Sequence, residues 1–134
     1  ELQSLDRLAL AEALHRRLSA VGRTLKVLVQ VKTSPEDTKA GIEPDALIPF
    51  LKELTQFPTL QVEGLMTMAV FSEDETAVRQ CFQRLRDCQA QARAANLPGI
   101  NLDRLSMGMS GDMALAIDEG STEVRVGSAI FGQR

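Results

Sequence analysis

The chain has 134 residues, with 15 basic and 18 acidic side chains, a formal net charge of −3 and five aromatic residues, all phenylalanine. That balance excludes a nucleic-acid surface, which needs clustered basic charge and rings on which bases stack, and it points to small soluble partners. The length suits one domain with a sizeable core, yet it is about half of a complete (β/α)₈ barrel, which takes roughly 200 residues or more.

The chain opens on Glu1 and shows neither a signal-peptide pattern nor a long apolar run, so a cytoplasmic location with no membrane contact is expected. Leu5, Leu8, Ala11, Leu14 and Leu18 recur at steps of three and four, which predicts a helix over 4–20 that Gly22 ends. LKVLVQV at 25–31 is a near-continuous apolar run of strand length, suited to a strand buried on both faces of a parallel sheet. The polar loop TSPEDTKAG follows, its Glu36 and Asp37 reading as a solvated acidic turn. Pro44 suits a first helical turn, and Leu47, Ile48, Leu51 and Leu54 continue a helix to Gln56 before Pro58 closes it. Pro49 falls inside that pattern and implies a kink or a later start.

VEGLMTM at 62–68 is the second predicted strand. Ser72 and Glu75 have the spacing of a capping box, and Val78, Cys81, Phe82, Leu85, Cys88 and Ala92 form the core stripe of a long helix reaching Asn96. Both cysteines share that stripe and belong to no metal-ligand spacing, so two buried reduced thiols are expected. His15, the one histidine, stands beside Arg16 and Arg17 and is expected to face solvent, which leaves no nucleophile–histidine system. RLSMGM (104–109) is the third strand, GDMALAI (111–117) a helix stub, and EVRVGSAI (123–130) a fourth strand running into a terminal turn. The alternation predicts one α/β domain over 1–134, with four parallel strands and right-handed crossovers.

The chemistry concentrates in the last thirty residues. A phosphate removed from water needs converging donors, and backbone N–H groups in glycine-containing turns and at helix starts supply them. Ser106, Gly108, Met109 and Ser110 lead into one helix start, while Arg125, Gly127 and Ser128 leave the adjacent strand. In a (β/α)₈ barrel the frequent phosphate site lies between the loops after the last two strands, where a short helix stands. The same residues also fit a plainer reading, in which Ser110 is an ordinary N-cap, the Gly-Ser pair is a turn, and Arg125 pairs with Glu123 or Asp112.

LSMGMSGDMALAI followed by STEVRVGSAIFG closely resembles the C-terminal signature of the pyridoxal 5′-phosphate (PLP) homeostasis family, the YggS/PROSC type, relatives of the alanine racemase barrel domain. VLVQVKTSPEDTKAGI and LQVEGLMTMA resemble two further segments of that family in the same order, so that the resemblance covers essentially the whole chain. It implies the C-terminal half of a TIM-type barrel, about strands five to eight, with PLP as cofactor. By that resemblance Ser106, Gly127 and Ser128 hold the cofactor phosphate, Ser110 helps from the helix start, and Arg125 faces the pyridine nitrogen. A guanidinium only donates, so a nitrogen facing it stays unprotonated and the ring is a weaker electron sink, which suits holding the cofactor better than demanding chemistry.

The family's cofactor-bearing lysine and the segments around it have no counterpart here. Of the four lysines, Lys26 begins a strand, Lys52 belongs to a helix, and Lys32 and Lys39 flank the polar loop, Lys39 matching a family position that does not carry the aldehyde. The chain therefore reads as the C-terminal portion of a longer protein whose covalent anchor lies in an N-terminal half, and its unpaired edge strands are expected to join that half or another copy. The expected function is PLP binding in vitamin B6 and amino-acid homeostasis without robust catalysis. The alternative is a PLP-dependent racemase-like enzyme, which needs a second base, typically tyrosine, and the chain has no tyrosine. A half-barrel that binds any phosphorylated metabolite is the third reading.

Overall fold

The computed structural model describes residues 1–35 and 40–132, the side chains of Ser128 and Ala129 excepted. Glu36, Asp37 and Lys39 thus lie outside the described residues. Five parallel strands, β1 (Leu2–Leu5), β2 (Leu25–Gln30), β3 (Leu60–Met66), β4 (Arg104–Met109) and β5 (Glu123–Arg125), hydrogen-bond in sequence order. Between them run α1 (Leu8–Val21), α2 (Leu47–Leu54), α3 (Glu75–Ala94) and α4 (Met113–Asp118), and α5 (Ser128–Phe131) follows β5.

One face of the sheet carries Val27, Val29 and Val31, Val62 and Leu65, and Leu105 and Met107, which share a single core with Leu51 and Leu54 of α2, Val78, Phe82 and Leu85 of α3, and Ala116 of α4. Side chains alternate along a strand, so Leu28 and Gln30 face the opposite, concave side. They are 0% and 6% exposed, because the sheet curls over that side. The curl is visible in its edges. In a flat five-stranded sheet β1 and β5 would stand about 19 Å apart, yet Gln3 on β1 donates to Glu123 on β5 at 3.4 Å. The half-barrel of a TIM-type fold is the outcome.

The sequence predicts four strands; the structure has a fifth, β1, whose Leu5 is the buried end of a strand rather than the start of a helix. The last strand is three residues long and not eight, because the chain turns at Gly127 into α5. Pro44 opens a 3₁₀ turn, and α2 begins at Leu47, so that Pro49 sits in the first turn where its missing N–H costs nothing. Asp74 replaces the predicted Ser72 as cap of α3, its carboxylate accepting from the Thr76 and Ala77 N–H groups. His15 is partly buried rather than solvent-facing, with Nδ1 2.7 Å from Thr59 Oγ1 and its ring against Phe57. At Gly64 a Cβ would lie 2.0 Å from the Arg104 carbonyl oxygen, so only glycine allows β3 and β4 to approach there. No helix among the described residues is long and apolar enough to cross a membrane.

Candidate functional site

The C-terminal ends of β3, β4 and β5 open into a cavity of about 420 Å³ whose walls include Met68, Val70, Phe71, Met109, Ser110, Arg125 and Gly127. The turn leaving β4 is set by Gly108 at φ +104°, where a Cβ would come within 2.6 Å of the Ala116 Cβ on α4. The Asp112 carboxylate then accepts from the Met109 N–H at 2.6 Å and closes the turn. Ser110 stands ahead of the helix rather than capping it, and its hydroxyl accepts from the Gly127 N–H at 3.3 Å. A serine hydroxyl and a glycine N–H from two different loops thus meet at one point of the cavity wall.

Arg125, on the last residue of β5, lines the same cavity. Its Nη1 donates to the Ser106 hydroxyl at 2.6 Å and its Nη2 to the Thr67 carbonyl at 2.8 Å. Both acceptors are neutral. Burial pulls the guanidinium below its ordinary range, while the charges of Asp112 and Glu123 oppose that shift from a distance. Neither carboxylate pairs with it, so the structural ion pair considered from the sequence is not formed among the described residues. Arg104, two residues before Ser106 on β4, is the contrast: it pairs with both Glu1 and Glu123. Among the described residues two of the five guanidinium N–H groups of Arg125 find acceptors, and the guanidinium stands next to the cavity.

Of the residues predicted from the sequence, Ser110, Arg125 and Gly127 come together on one cavity. Ser106 lies beneath it with 0% exposure, its hydroxyl engaged by Arg125 and by Gln3 Oε1 at 2.7 Å. The backbone of Ser128 begins α5, where the Ile130 and Phe131 N–H groups return to the Gly127 carbonyl, and its side chain lies outside the described residues. Met66 is 6% exposed, and Met68 and Met109 line the cavity. Lys26 pairs with Glu63 and Lys32 with Glu43, and no described lysine lines the cavity. Thr67 and Gln3 escaped the sequence, since nothing in the spacing links them to Arg125 58 positions away or to Ser106 103 positions away. Among the described residues no cluster fit to hold a metal ion occurs.

A family model described as the alanine racemase N-terminal domain matches residues 2–134. The chain is 39% identical over 133 residues to a pyridoxal phosphate homeostasis protein of Pasteurella multocida, covering 99% of this chain and 57% of that protein. It is 36% identical over 138 residues to a protein of the same name from Homo sapiens, covering 99% and 50%. Among solved structures, PipY of Synechococcus elongatus with PLP bound is similar with a TM-score of 0.87 and 38% identity, over 97% of this chain and 59% of that one. An alanine racemase of Clostridium difficile shares the fold with a TM-score of 0.79 at 16% identity, over 98% and 34%. The chain spans about half the length of the curated relatives it matches.

Proposed function

Because the chain belongs to the family of the alanine racemase N-terminal domain, we propose that it supplies the phosphate side and the ring-nitrogen side of a pyridoxal 5′-phosphate site. The observation that carries this reading is that Arg125, Ser110 and Gly127 line one cavity. The donor set fits the group. A phosphate would take the Gly127 N–H in place of the Ser110 hydroxyl that now accepts it, with Ser110 and the start of α5 at Ser128 beside it, and apolar Met68, Val70 and Met109 suit the faces of an aromatic ring. Arg125, whose charge no carboxylate among the described residues neutralises, would donate to the pyridine nitrogen.

When bound, PLP supplies an aldehyde that condenses with amines and a ring that draws electrons from the adduct. The residues of this chain act on that chemistry by position alone. Arg125 cannot give up its proton, so it keeps the ring nitrogen an acceptor and holds down the ring's electron demand. That arrangement supports a role in holding the cofactor for PLP and amino-acid homeostasis rather than in turnover. The remainder of a barrel, corresponding to the share of the relatives this chain does not span, would bring the covalent anchor. Counted back from the last strand, β1–β5 would be strands four to eight of that barrel, one more than the sequence predicts. The edges of β1 and β5, unpaired among the described residues, are where that half, or a second copy, would join.

Calorimetric titration of the 134-residue chain tests the reading. PLP is expected to bind reversibly, more tightly than pyridoxal, with inorganic phosphate competing and no racemisation of alanine. Equal affinity for pyridoxal and PLP, or alanine turnover, overturns it.

A further inference from the structure

We propose that Gln3 and Ser106 are positioning residues that hold the Arg125 guanidinium in one orientation at the cavity, so that Ser106 serves the ring-nitrogen contact and not the phosphate. The inference rests on the cofactor reading above and names how that same site discriminates its ligand.

The direction of every hydrogen bond in this network follows from proton counting. A guanidinium has no acceptor, so the Ser106 oxygen accepts from Arg125 Nη1 at 2.6 Å. The single hydroxyl proton must then go to Gln3 Oε1, 2.7 Å away. Gln3 in turn cannot flip its amide, because Nε2 donates to Glu1 Oε2 at 3.0 Å and to Glu123 Oε1 at 3.4 Å, and carboxylates only accept. The second arm is equally directed. Nη2 donates to the Thr67 carbonyl at 2.8 Å, the Thr67 hydroxyl donates to the Val31 carbonyl at 2.7 Å, and it accepts from the Thr33 hydroxyl at 2.8 Å.

Two fixed acceptors grip the guanidinium, Thr67 just past the end of β3 and Ser106 on β4, while the acidic ends of the relay stay a residue or more removed from it. Arg125 is thereby oriented without being neutralised. Ser106 has 0% exposure, does not line the cavity, and has its one proton and its Arg125-facing lone pair in use, which leaves it unsuited to a phosphate. The phosphate falls instead to the cavity wall where the Ser110 hydroxyl and the Gly127 N–H meet.

The test compares wild type with Ser106→Ala, Ser106→Thr and Gln3→Met, all checked for unchanged circular dichroism. Binding is measured for PLP, for pyridoxal and for PLP methylated on the ring nitrogen. In wild type the methylated compound binds less well than PLP. In Ser106→Ala that preference falls about tenfold, the worth of one hydrogen bond to a charged group, while the preference for PLP over pyridoxal is kept. Gln3→Met shifts it the same way to a smaller extent, and Ser106→Thr restores it to within about twofold of wild type. A Ser106→Ala protein that loses the phosphate preference instead, or that keeps its discrimination against the methylated ring, overturns the assignment.

A second readout needs no ligand. The Arg125 guanidinium N–H signals are expected to show separate Nη resonances in wild type and to average in Ser106→Ala. Averaged signals in wild type sink the positioning role. A protein with separate signals that binds no PLP sinks the cofactor reading and leaves the relay standing.

Discussion

Arg104 on β4 and Glu123 on β5 form a forked pair, with Nη2 2.8 Å from each carboxylate oxygen and Nε 3.2 Å from Oε2. One layer further along the same two strands, the side chain of Arg125 meets a hydroxyl and a carbonyl and, among the described residues, no carboxylate. The two arginines share a concave surface and divide its tasks: the first closes the curl by joining β1, β4 and β5, and the second keeps its charge for the cavity.

The first task predicts a pH dependence. Hydrogen bonds from Arg104, and then from Gln3, hold the Glu1 carboxyl down from its ordinary 4.5 to about 2. A folded-state value depressed below the unfolded one stabilises the fold fully above the unfolded value and loses that contribution as pH falls through the folded one. The stability difference between wild type and Arg104→Met is therefore expected to be constant above pH 4.5 and to shrink from there to about pH 2. Urea unfolding across that range checks it, with a difference at neutral pH of about 1 kcal/mol, the value for a partly exposed forked pair.

The second task predicts a separation of stability from binding. Arg125→Met removes a cation that burial disfavours, and the Ser106 hydroxyl keeps Gln3 as a partner. Unfolding free energy is expected to change by no more than about 1 kcal/mol, while affinity for PLP falls about tenfold or more. Thermal melts and calorimetry on the same preparation measure both.

Cys81 and Cys88 are 1% and 6% exposed, and burial, followed by the charge of Asp87, pushes the Cys88 thiol up. Attack on a disulfide reagent requires an accessible thiolate; burial denies access to both thiols, and at Cys88 it also disfavours the charged form. In the native protein both thiols are expected to react at least about tenfold more slowly than in urea. A stopped-flow comparison with an aromatic disulfide reveals whether either is accessible.

The α/β alternation and the core stripe were legible because each buried element carries its own period: Val27 and Val29 on β2, and Val78, Phe82 and Leu85 on α3, stand where the spacing puts them. β1 was not, since four residues with Gln3 and Ser4 among them show no period, and the helix beginning at Leu8 has an Arg7 cap that makes no side-chain hydrogen bond to mark its start. The end of β5 was overrun because VGSAI is apolar enough to continue a strand, and only the turn at Gly127 ends it. At the site, Ser110, Arg125 and Gly127 were legible through two loops close in sequence. The partners that hold Arg125 in place were not, because Gln3 and Thr67 reach it through the curl of the sheet, a property of the whole half-barrel that no local pattern encodes.

The turn after β4 supplies the last prediction. Gly108 has φ +104°, a region that residues with a Cβ rarely adopt, and the missing Cβ would stand 2.6 Å from the Ala116 Cβ and 3.2 Å from Val124 Cγ1. Neither neighbour has a flexible end to withdraw, for Ala116 is a buried residue of α4 and Val124 lies in the middle of β5. Gly108→Ala must therefore either strain the backbone or lever α4 away from β4. Overpacking and left-handed strain together cost about 2–4 kcal/mol. Because the Met109 N–H is tied to Asp112 at 2.6 Å and Ser110 follows directly, the displacement reaches the phosphate end of the cavity before it reaches Arg125. Loss of the preference for PLP over pyridoxal, with discrimination at the ring nitrogen retained, is the expected signature in the titrations, alongside a melting temperature lowered by about ten degrees.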